Sequence, residues 1–111
     1  MRRGEVWWAE LPAPSGRRPV VLLSRNEAYR IRETITVALV TGTIRDIPSE
    51  VRLGRSDGLP KPSVVNLDNL QTIRKSTLTK RIGPLSPEKL RAAEEALCFA
   101  LGLEHPRGRG R

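Results

Sequence analysis

Short apolar runs, broken by turn-forming residues, occupy most of the chain before residue 86. Runs of this kind, either alternating with polar residues or wholly apolar, predict β-strands. They predict strands at residues 4–11, 19–24, 34–41, 49–53 and 63–73, and a last short strand within 75–85. Residues 26–33, between the second and third strands, are expected to form a loop or a helical turn.

The first predicted strand, at residues 4–11, carries both tryptophans of the chain. Successive side chains of a strand point to opposite faces of its sheet. We therefore expect Val6 and Trp8 on one face, with Leu11 beside them, and Trp7 and Ala9 on the other.

One helix is predicted, from Ser86 to about Gly102. Ser86 is a suitable N-cap, Pro87 suits the first helical position, and an acidic residue follows at the positive end of the helix. We expect an apolar stripe that packs on the strands and a polar face that points to water. The stripe consists of Leu90, Ala93, Leu97 and Leu101, and the polar face of Lys89, Arg91, Glu94 and Glu95.

Short strands followed by one helix predict a mainly β fold of the α+β class, a small barrel of about six to seven strands with a C-terminal helix. The 111 residues correspond to one domain, placed at residues 1–103. Residues 104–111 form a basic tail that is expected to be disordered. The only histidine, His105, lies in this tail and is expected neither to catalyse nor to bind metal.

The chain is strongly basic, with 20 Lys and Arg against 12 Asp and Glu and a formal net charge of +8. This favours nucleic acid as the partner, because binding a polyphosphate releases counterions. Charge that serves only solubility is the alternative. The single cysteine, Cys98, excludes an internal disulfide. No apolar run is long enough for a signal peptide or a membrane span, so we expect a soluble, cytoplasmic protein.

The stretch GRRPVVLLS, residues 16–24, places two arginines at the start of an apolar strand. Pro19 favours extended geometry for Arg18, and the strand that follows is apolar on both faces. A guanidinium held there suits a phosphate, whereas the alternative is that Arg17 and Arg18 are solvated loop residues. No Walker loop, dinucleotide fingerprint or metal-ligand spacing occurs, so no cofactor or metal is expected.

Several motifs resemble those of the MazF/PemK (Kid) toxins of bacterial type II toxin–antitoxin systems. They are RRGEVWWAEL, GRRPVVLLS, VALVT, KPSVVNLDNLQTI and KSTLTKRIGPLSPEKL, and the resemblance extends from residue 2 to about residue 103. It implies an SH3-like barrel of the CcdB/PemK type. It further implies a sequence-specific, metal-independent endoribonuclease that cleaves single-stranded RNA and so inhibits translation and growth, a homodimer, and a cognate MazE-like antitoxin.

By this resemblance, Arg18 matches the family's catalytic arginine and Thr41, at the end of VALVT, its catalytic threonine. Arg18 would stabilise charge on the nonbridging phosphate oxygens, and the Thr41 hydroxyl would donate a hydrogen bond to the phosphate. Asp68 matches an aspartate that some members are thought to use near the scissile phosphate. Its carboxylate could accept the 2′-hydroxyl proton, with a turn or ladder role as the alternative.

Six further side chains are candidate RNA contacts. Asn66, Asn69 and Gln71 can read base edges with paired donors and acceptors, or they can be ordinary hydrogen-bonded strand residues. The other candidates are Arg17, Ser24 and Arg45. Arg45 lies in the loop at residues 43–48, which is expected to form a groove wall, and a solvated loop arginine is the alternative there.

Two departures from the family pattern leave parts of the mechanism open. The first loop is only PAPSG and lacks the acidic residue of a longer family loop, so the general base is undetermined. Gln71 replaces a family arginine, which predicts altered base recognition. The tryptophan-bearing strand and the short loop are candidate antitoxin contacts. The rival function is non-catalytic: a nucleic-acid-binding barrel, or a toxin that binds a protein target such as DNA gyrase.

Overall fold

The computed structural model describes residues 1–104, so the expectations for the tail from His105 onward lie outside the described residues. The described chain forms β1 (Glu5–Glu10), β2 (Arg17–Leu22), α1 (Ala28–Ile31), β3 (Thr34–Thr41), β4 (Glu50–Leu53), β5 (Ser63–Arg74), β6 (Leu78–Pro84) and α2 (Pro87–Leu101). Two 3₁₀ turns lie at Arg55–Asp57 and Lys75–Thr77. Within the described part of the chain, no helix is long and apolar enough to cross a membrane.

The strands form one antiparallel sheet in the order β4-β5-β3-β2-β1-β6. Register shifts interrupt the β1–β6 and β3–β5 ladders. Such irregularities bend strands and increase their twist, and here the sheet curls into a half-barrel. The predicted mainly β fold with a C-terminal helix is confirmed, and residues 28–31 form the helical turn that was one of the two alternatives for their segment.

Strand β2 runs from Arg17 to Leu22 and so begins and ends two residues earlier than predicted. It begins earlier because its two arginines are already paired with β1. Arg17 lies opposite Glu10, and Arg18 opposite Ala9. Pro19 follows them without disrupting a second ladder, since the pairing of β2 with β3 starts only at Val20. The two arginines are therefore strand residues and not loop residues, in a stretch of β2 that is paired on one side.

Both faces of the sheet are buried, as the apolar run of β2 predicted. One hydrophobic cluster includes Val6, Val21 and Leu67, with apolar residues of α2 packed against it. The other includes Ala9 and Leu22 on the opposite face. Two packed faces leave a single sheet little tolerance for a shift in register, because such a shift would exchange the side chains between the clusters.

Leu11 lies with Trp7 and Ala9 in the second cluster, so its expected position beside Val6 is wrong. The alternation of side chains continues from β1 into the following residue and carries Leu11 to the same face as Ala9. The expected separation of Val6 from Trp7 and Ala9 is confirmed.

Helix α2 begins as its sequence predicts. The Ser86 Oγ accepts a hydrogen bond from the backbone N–H of Lys89 at 3.1 Å, and Pro87 occupies the first turn. The helix ends at Gly102, which has a left-handed φ of 71°. These local signals determine both ends of the helix.

The apolar face of α2 includes three residues of the predicted stripe, since Ala93 is buried and Leu90 and Leu97 pack against the first hydrophobic cluster. Ala93 and Ala96 are its buried members, whereas Leu101 is exposed and was wrongly placed in the stripe. Two residues of the predicted polar face are also bound to the body of the protein. Lys89 donates to Asp57, and Glu94 pairs with Arg3.

Candidate functional site

A cavity of about 260 Å³ opens where the end of β3 and the start of β2 meet the segment that precedes β5. It combines three cationic side chains with an apolar floor. Its lining consists of Trp8, Arg17, Arg18, Pro19, Val40, Thr41, Gly42, Leu59, Pro60, Lys61 and Ser63. Within the described residues 1–104, no carboxylate belongs to this lining, so the cavity has the electrostatic character of an anion-binding site.

The sheet register brings Arg18 and Thr41 to this cavity although 23 positions separate them in the chain. The β2–β3 ladder pairs Val20 with Leu39. Extending that antiparallel register by two residues places Arg18 beside Thr41. Both side chains line the cavity, so the two residues predicted to be catalytic are neighbours in space.

The Arg18 guanidinium is oriented by the loop that precedes it. Its Nε–H donates to the backbone carbonyl of Ser15 at 3.1 Å, and the residue is half-buried. In the described part of the chain no residue forms a hydrogen bond or ion pair with its two terminal nitrogens. One side of the guanidinium is thus anchored, and the other remains able to bind two oxygens of a phosphate.

Arg17 is held in a different way. Its Nε lies 3.3 Å from a carboxylate oxygen of Glu10, and its guanidinium carbon lies 4.2 Å from the centre of the Trp8 ring. The second distance is typical of a cation–π contact. Arg17 and Trp8 therefore form one stacked wall of the cavity, in which the positive charge of Arg17 is partly balanced by Glu10.

The Thr41 side chain is also fixed. Its Oγ1 accepts a hydrogen bond from the backbone N–H of Thr43 at 3.2 Å. A hydroxyl that accepts one hydrogen bond can still donate its own hydrogen. Thr41 can thus present a single donor to a ligand in the cavity.

Lys61 and Gly42 are cavity residues that the sequence reasoning missed. Lys61 approaches Gly42 closely, because a Cβ built on Gly42 would lie 3.7 Å from both Cε and Nζ of the lysine. The signal that could have identified Lys61 is its position in Leu-Pro-Lys-Pro-Ser, where two prolines restrict the backbone around a single cation.

Asp68 and its neighbours Asn66 and Asn69 lie elsewhere. The β3–β5 register places Val64 opposite Thr41, and Asp68 is four residues further along β5, where the ladder is irregular. Four strand residues correspond to about 13 Å. The Asp68 carboxylate accepts a hydrogen bond from the Ser49 hydroxyl at 2.5 Å, and the Asp68 N–H donates to Asn66 at 2.9 Å.

The other candidate RNA contacts also lie outside the cavity lining. Gln71 pairs with Val37, nearer the opposite end of β3. The Ser24 hydroxyl accepts a hydrogen bond from the N–H of Thr36 at 2.8 Å, in the same region. Arg45 is exposed, and its guanidinium lies 3.9 Å from the buried carboxylate of Glu50. The fold brings Arg17, Arg18 and Thr41 together and separates them from the remaining candidates.

Metal ligands are not clustered in the described residues. Among residues 1–104, no group of three or more His, Cys, Asp or Glu side chains is arranged to hold a metal ion.

A curled antiparallel sheet with a cationic cavity at its strand ends defines a small β protein suited to bind a phosphate. The more specific identity comes from comparison with known sequences. The model of the PemK-like, MazF-like toxins of type II toxin–antitoxin systems matches residues 2–101, and the chain belongs to this family.

Two kinds of relative agree with this assignment. The chain is 46% identical over 101 residues to the "Probable endoribonuclease MazF5" of Mycobacterium tuberculosis, an alignment that covers 89% of this chain and 87% of that protein. The structure of the Mycobacterium tuberculosis toxin MazF-mt6 superposes with a TM-score of 0.84 at 35% identity, covering 91% of this chain and 99% of that chain. An endoribonuclease in complex with its cognate antitoxin, from Mycobacterial species, gives a TM-score of 0.84 at 33% identity, covering 96% and 99%.

Proposed function

We propose that this chain is the toxin of a type II toxin–antitoxin system and cleaves RNA at the cavity that contains Arg18 and Thr41. It is an endoribonuclease that acts in the cytoplasm. The observation that carries the proposal is the convergence of Arg18, Thr41 and two further cations on a cavity whose described lining contains no carboxylate. An anionic backbone is attracted to such a cavity, and charge that develops on a phosphate is stabilised there.

The chemistry that this cavity supports is attack by the neighbouring 2′-hydroxyl on the phosphorus. The 2′-oxygen loses its proton to a base and forms a bond to phosphorus, while the bond to the 5′-oxygen breaks and that oxygen takes up a proton. This leaves a cyclic phosphate and a 5′-hydroxyl. Negative charge grows on the nonbridging oxygens during this step. The free nitrogens of Arg18 bind those oxygens, and the Thr41 hydroxyl donates a hydrogen bond to the same phosphate. Both groups also hold the phosphodiester in position for in-line attack.

Asp68 stays a prediction as the group that accepts the 2′-hydroxyl proton. Its carboxylate is engaged by Ser49 and does not line the cavity, so its position lends this role no support. Asn66, Asn69, Gln71, Ser24 and Arg45 likewise stay predictions as RNA contacts. Because they lie outside the cavity, we expect any contact that they make with RNA to involve nucleotides away from the cleaved bond.

A cognate antitoxin and a second copy of the chain are the protein partners we expect. One structural relative is described as an endoribonuclease in complex with its cognate antitoxin. A basic cavity can also accept an acidic peptide whose ordering cost is offset by charge pairing and apolar anchors. Trp8, which lines the cavity, would supply such an apolar contact.

The test is cleavage of a mixed-sequence RNA in the presence of a chelator, with cut sites and end groups read by sequencing. The parent chain should cut at one short motif and leave a cyclic or 3′-phosphate and a 5′-hydroxyl. Arg18→Ala should lower the rate by about 100- to 1,000-fold, the usual cost of losing a group that stabilises an oxyanion. Arg91→Ala, which removes an exposed arginine from α2, is the matched control and should cut at the parent rate.

Two results would contradict the proposal. Equal rates for the parent and Arg18→Ala would separate the activity from this cavity. No cutting of any RNA by the folded parent would favour the non-catalytic alternative, a toxin that binds a protein such as DNA gyrase.

A further inference from the structure

We propose that Lys61 supplies a second cation to the phosphate that reacts in this cavity, in addition to the charge provided by Arg18. The inference rests on the proposed function, because it assigns a role in the same RNA cleavage. Three features of the described chain support it: a constrained backbone around Lys61, the position of its ammonium beside Gly42, which follows Thr41, and the lack of a described partner for its charge.

The backbone that carries Lys61 is constrained on both sides. Pro60 and Pro62 flank it, and each proline fixes its own φ and restricts the residue before it. Leu59 and Ser63, at the ends of this segment, are 3% and 6% exposed. The Ser63 hydroxyl donates to the Lys61 carbonyl at 3.1 Å. An exposed lysine is thus mounted on a short, doubly anchored segment, which reduces the entropy lost when it binds a ligand.

The ammonium of Lys61 lies next to the residue that follows Thr41. Cε and Nζ are each 3.7 Å from the position that a Cβ of Gly42 would occupy, an ordinary van der Waals contact. The end of the lysine side chain therefore packs against the bare backbone of Gly42, and both residues line the cavity. This places a cation in the same cavity as the hydroxyl proposed to bind the phosphate, against the residue that follows Thr41.

Two of the other described lysines have partners for their ammonium groups. Lys75 donates to the carbonyl of Tyr29 at 2.8 Å, and Lys89 donates to Asp57 at 2.6 Å. Within residues 1–104, the ammonium groups of Lys61 and Lys80 form no hydrogen bond or ion pair, and of these two lysines only Lys61 lines the cavity. The described cavity lining contains no carboxylate that could balance the positive charge of Lys61. An RNA phosphate that enters the cavity supplies the negative charge.

A cation in this position stabilises the transition state more than the bound substrate. The phosphodiester carries one negative charge in the ground state, and the pentacoordinate transition state carries more charge on its nonbridging oxygens. The ammonium and the Arg18 guanidinium line the same cavity, so both can bind these oxygens. Loss of Lys61 should therefore lower kcat, whereas loss of a contact to a flanking phosphate would raise KM and leave kcat unchanged.

The experiment compares the full chain with Lys61→Gln, Lys61→Arg and the control Arg91→Gln. The substrate is an RNA oligonucleotide that contains the motif cut by the parent. Binding is measured separately with the same oligonucleotide carrying a 2′-deoxy nucleotide at the cleaved position, over a series of salt concentrations. Circular dichroism and a urea unfolding curve verify that each variant is folded.

We expect kcat to fall by roughly 10- to 100-fold in Lys61→Gln, at or below the usual cost of losing an oxyanion-stabilising donor. Lys61→Arg should recover most of that loss, because it retains the positive charge. For the 2′-deoxy oligonucleotide, the slope of log affinity against log salt should decrease by about one in Lys61→Gln, as expected for one lost phosphate contact. Arg91→Gln should change neither kcat nor the slope.

If the parent cuts RNA and Lys61→Gln cuts it as fast as Arg91→Gln does, the role of Lys61 is refuted and the proposed function stands. A change in KM alone would also refute it, since the contact would then be to a flanking phosphate. If the parent does not cut RNA at all, both proposals fail together.

Discussion

Replacing Gly58 with alanine should destabilise the protein by about 2–3 kcal/mol, since a side chain at this position meets both backbone strain and a steric clash. Gly58 ends the 3₁₀ turn at Arg55–Asp57 with a φ of 85°. A Cβ there would lie 2.7 Å from Cγ2 of Ile82 in β6. This contact joins the segment after β4 to β6, so Gly58 lies where the two edges of the half-barrel approach each other.

The magnitude follows from three contributions. A left-handed backbone costs an L-residue roughly 1–2 kcal/mol. Alanine also restricts the unfolded chain, which returns about 0.4–1 kcal/mol. The contact at 2.7 Å is well inside normal carbon–carbon separation, and overpacking of this kind costs typically about 1–3 kcal/mol. The steric contribution is thus the largest, and it can be isolated.

Gly16 provides the matched control. Its φ is 65°, also left-handed, but nothing lies within 4 Å of its ideal Cβ. Gly16→Ala should therefore show only the backbone contributions, a net loss of about 1 kcal/mol. The assay is urea unfolding followed by circular dichroism, in which a slope of about 1–3 kcal/mol per molar urea converts the expected losses into clearly separated midpoints.

A double-mutant cycle with Ile82→Ala tests the cause directly. Removing the methyl group that Gly58→Ala would strike should make the Gly58 substitution less costly by about 1–3 kcal/mol, the range expected for the steric contribution. If Gly58→Ala and Gly16→Ala cost the same, or if the cycle shows no coupling, the assignment of the loss to the Ile82 contact is refuted.

Two further predictions concern the acid stability and the C-terminal helix. Burial raises the pKa of Glu5, but hydrogen bonds from Trp7, the Arg2 backbone and Arg81 outweigh this effect and hold that pKa below its ordinary value of 4.5. This stabilisation is complete above pH 4.5 and is lost as the pH falls through the lower pKa of the folded state. Urea midpoints measured from pH 7 to 3 should therefore fall more steeply in the parent than in Glu5→Gln. Parallel curves for the two proteins would contradict this. Ser86→Ala removes the cap on the Lys89 N–H and should lower the free energy of unfolding by about 1 kcal/mol in the same assay. Ser86→Asp, which can still cap the helix, should lower it little. Equal losses in the two variants would exclude a capping role.

Local signals in the sequence were sufficient for the elements but not for all their boundaries. Ser86, Pro87 and Gly102 determine α2 through interactions within a few residues, so its ends agree with the prediction. The start of β2 depended instead on pairing with β1, which extends the strand back to Arg17. Leu101 was misplaced because the apolar periodicity of a helix does not reveal where the surface that it packs against ends.

The candidate site was recoverable from sequence only in part. The stretch GRRP identifies Arg17 and Arg18 as cations held at a strand, and the family resemblance adds Thr41. Lys61 escaped notice because its relation to Gly42 depends on a loop that packs across the end of another strand. The neighbourhood of Asp68 was equally hidden, since the ladder irregularity in β5 arises only when β5 pairs with β3.

The sequence by itself determined the strands, the capped helix, the basic charge and the family motifs, because each depends on residues close together in the chain or on composition. The tertiary structure decided which of the candidate residues share a cavity. Antiparallel register brings Arg18 and Thr41 together, and the anchored segment from Leu59 to Ser63 adds Lys61. Proximity of this kind depends on long-range pairing, in which a displacement of one residue would move a side chain to the other face of the sheet.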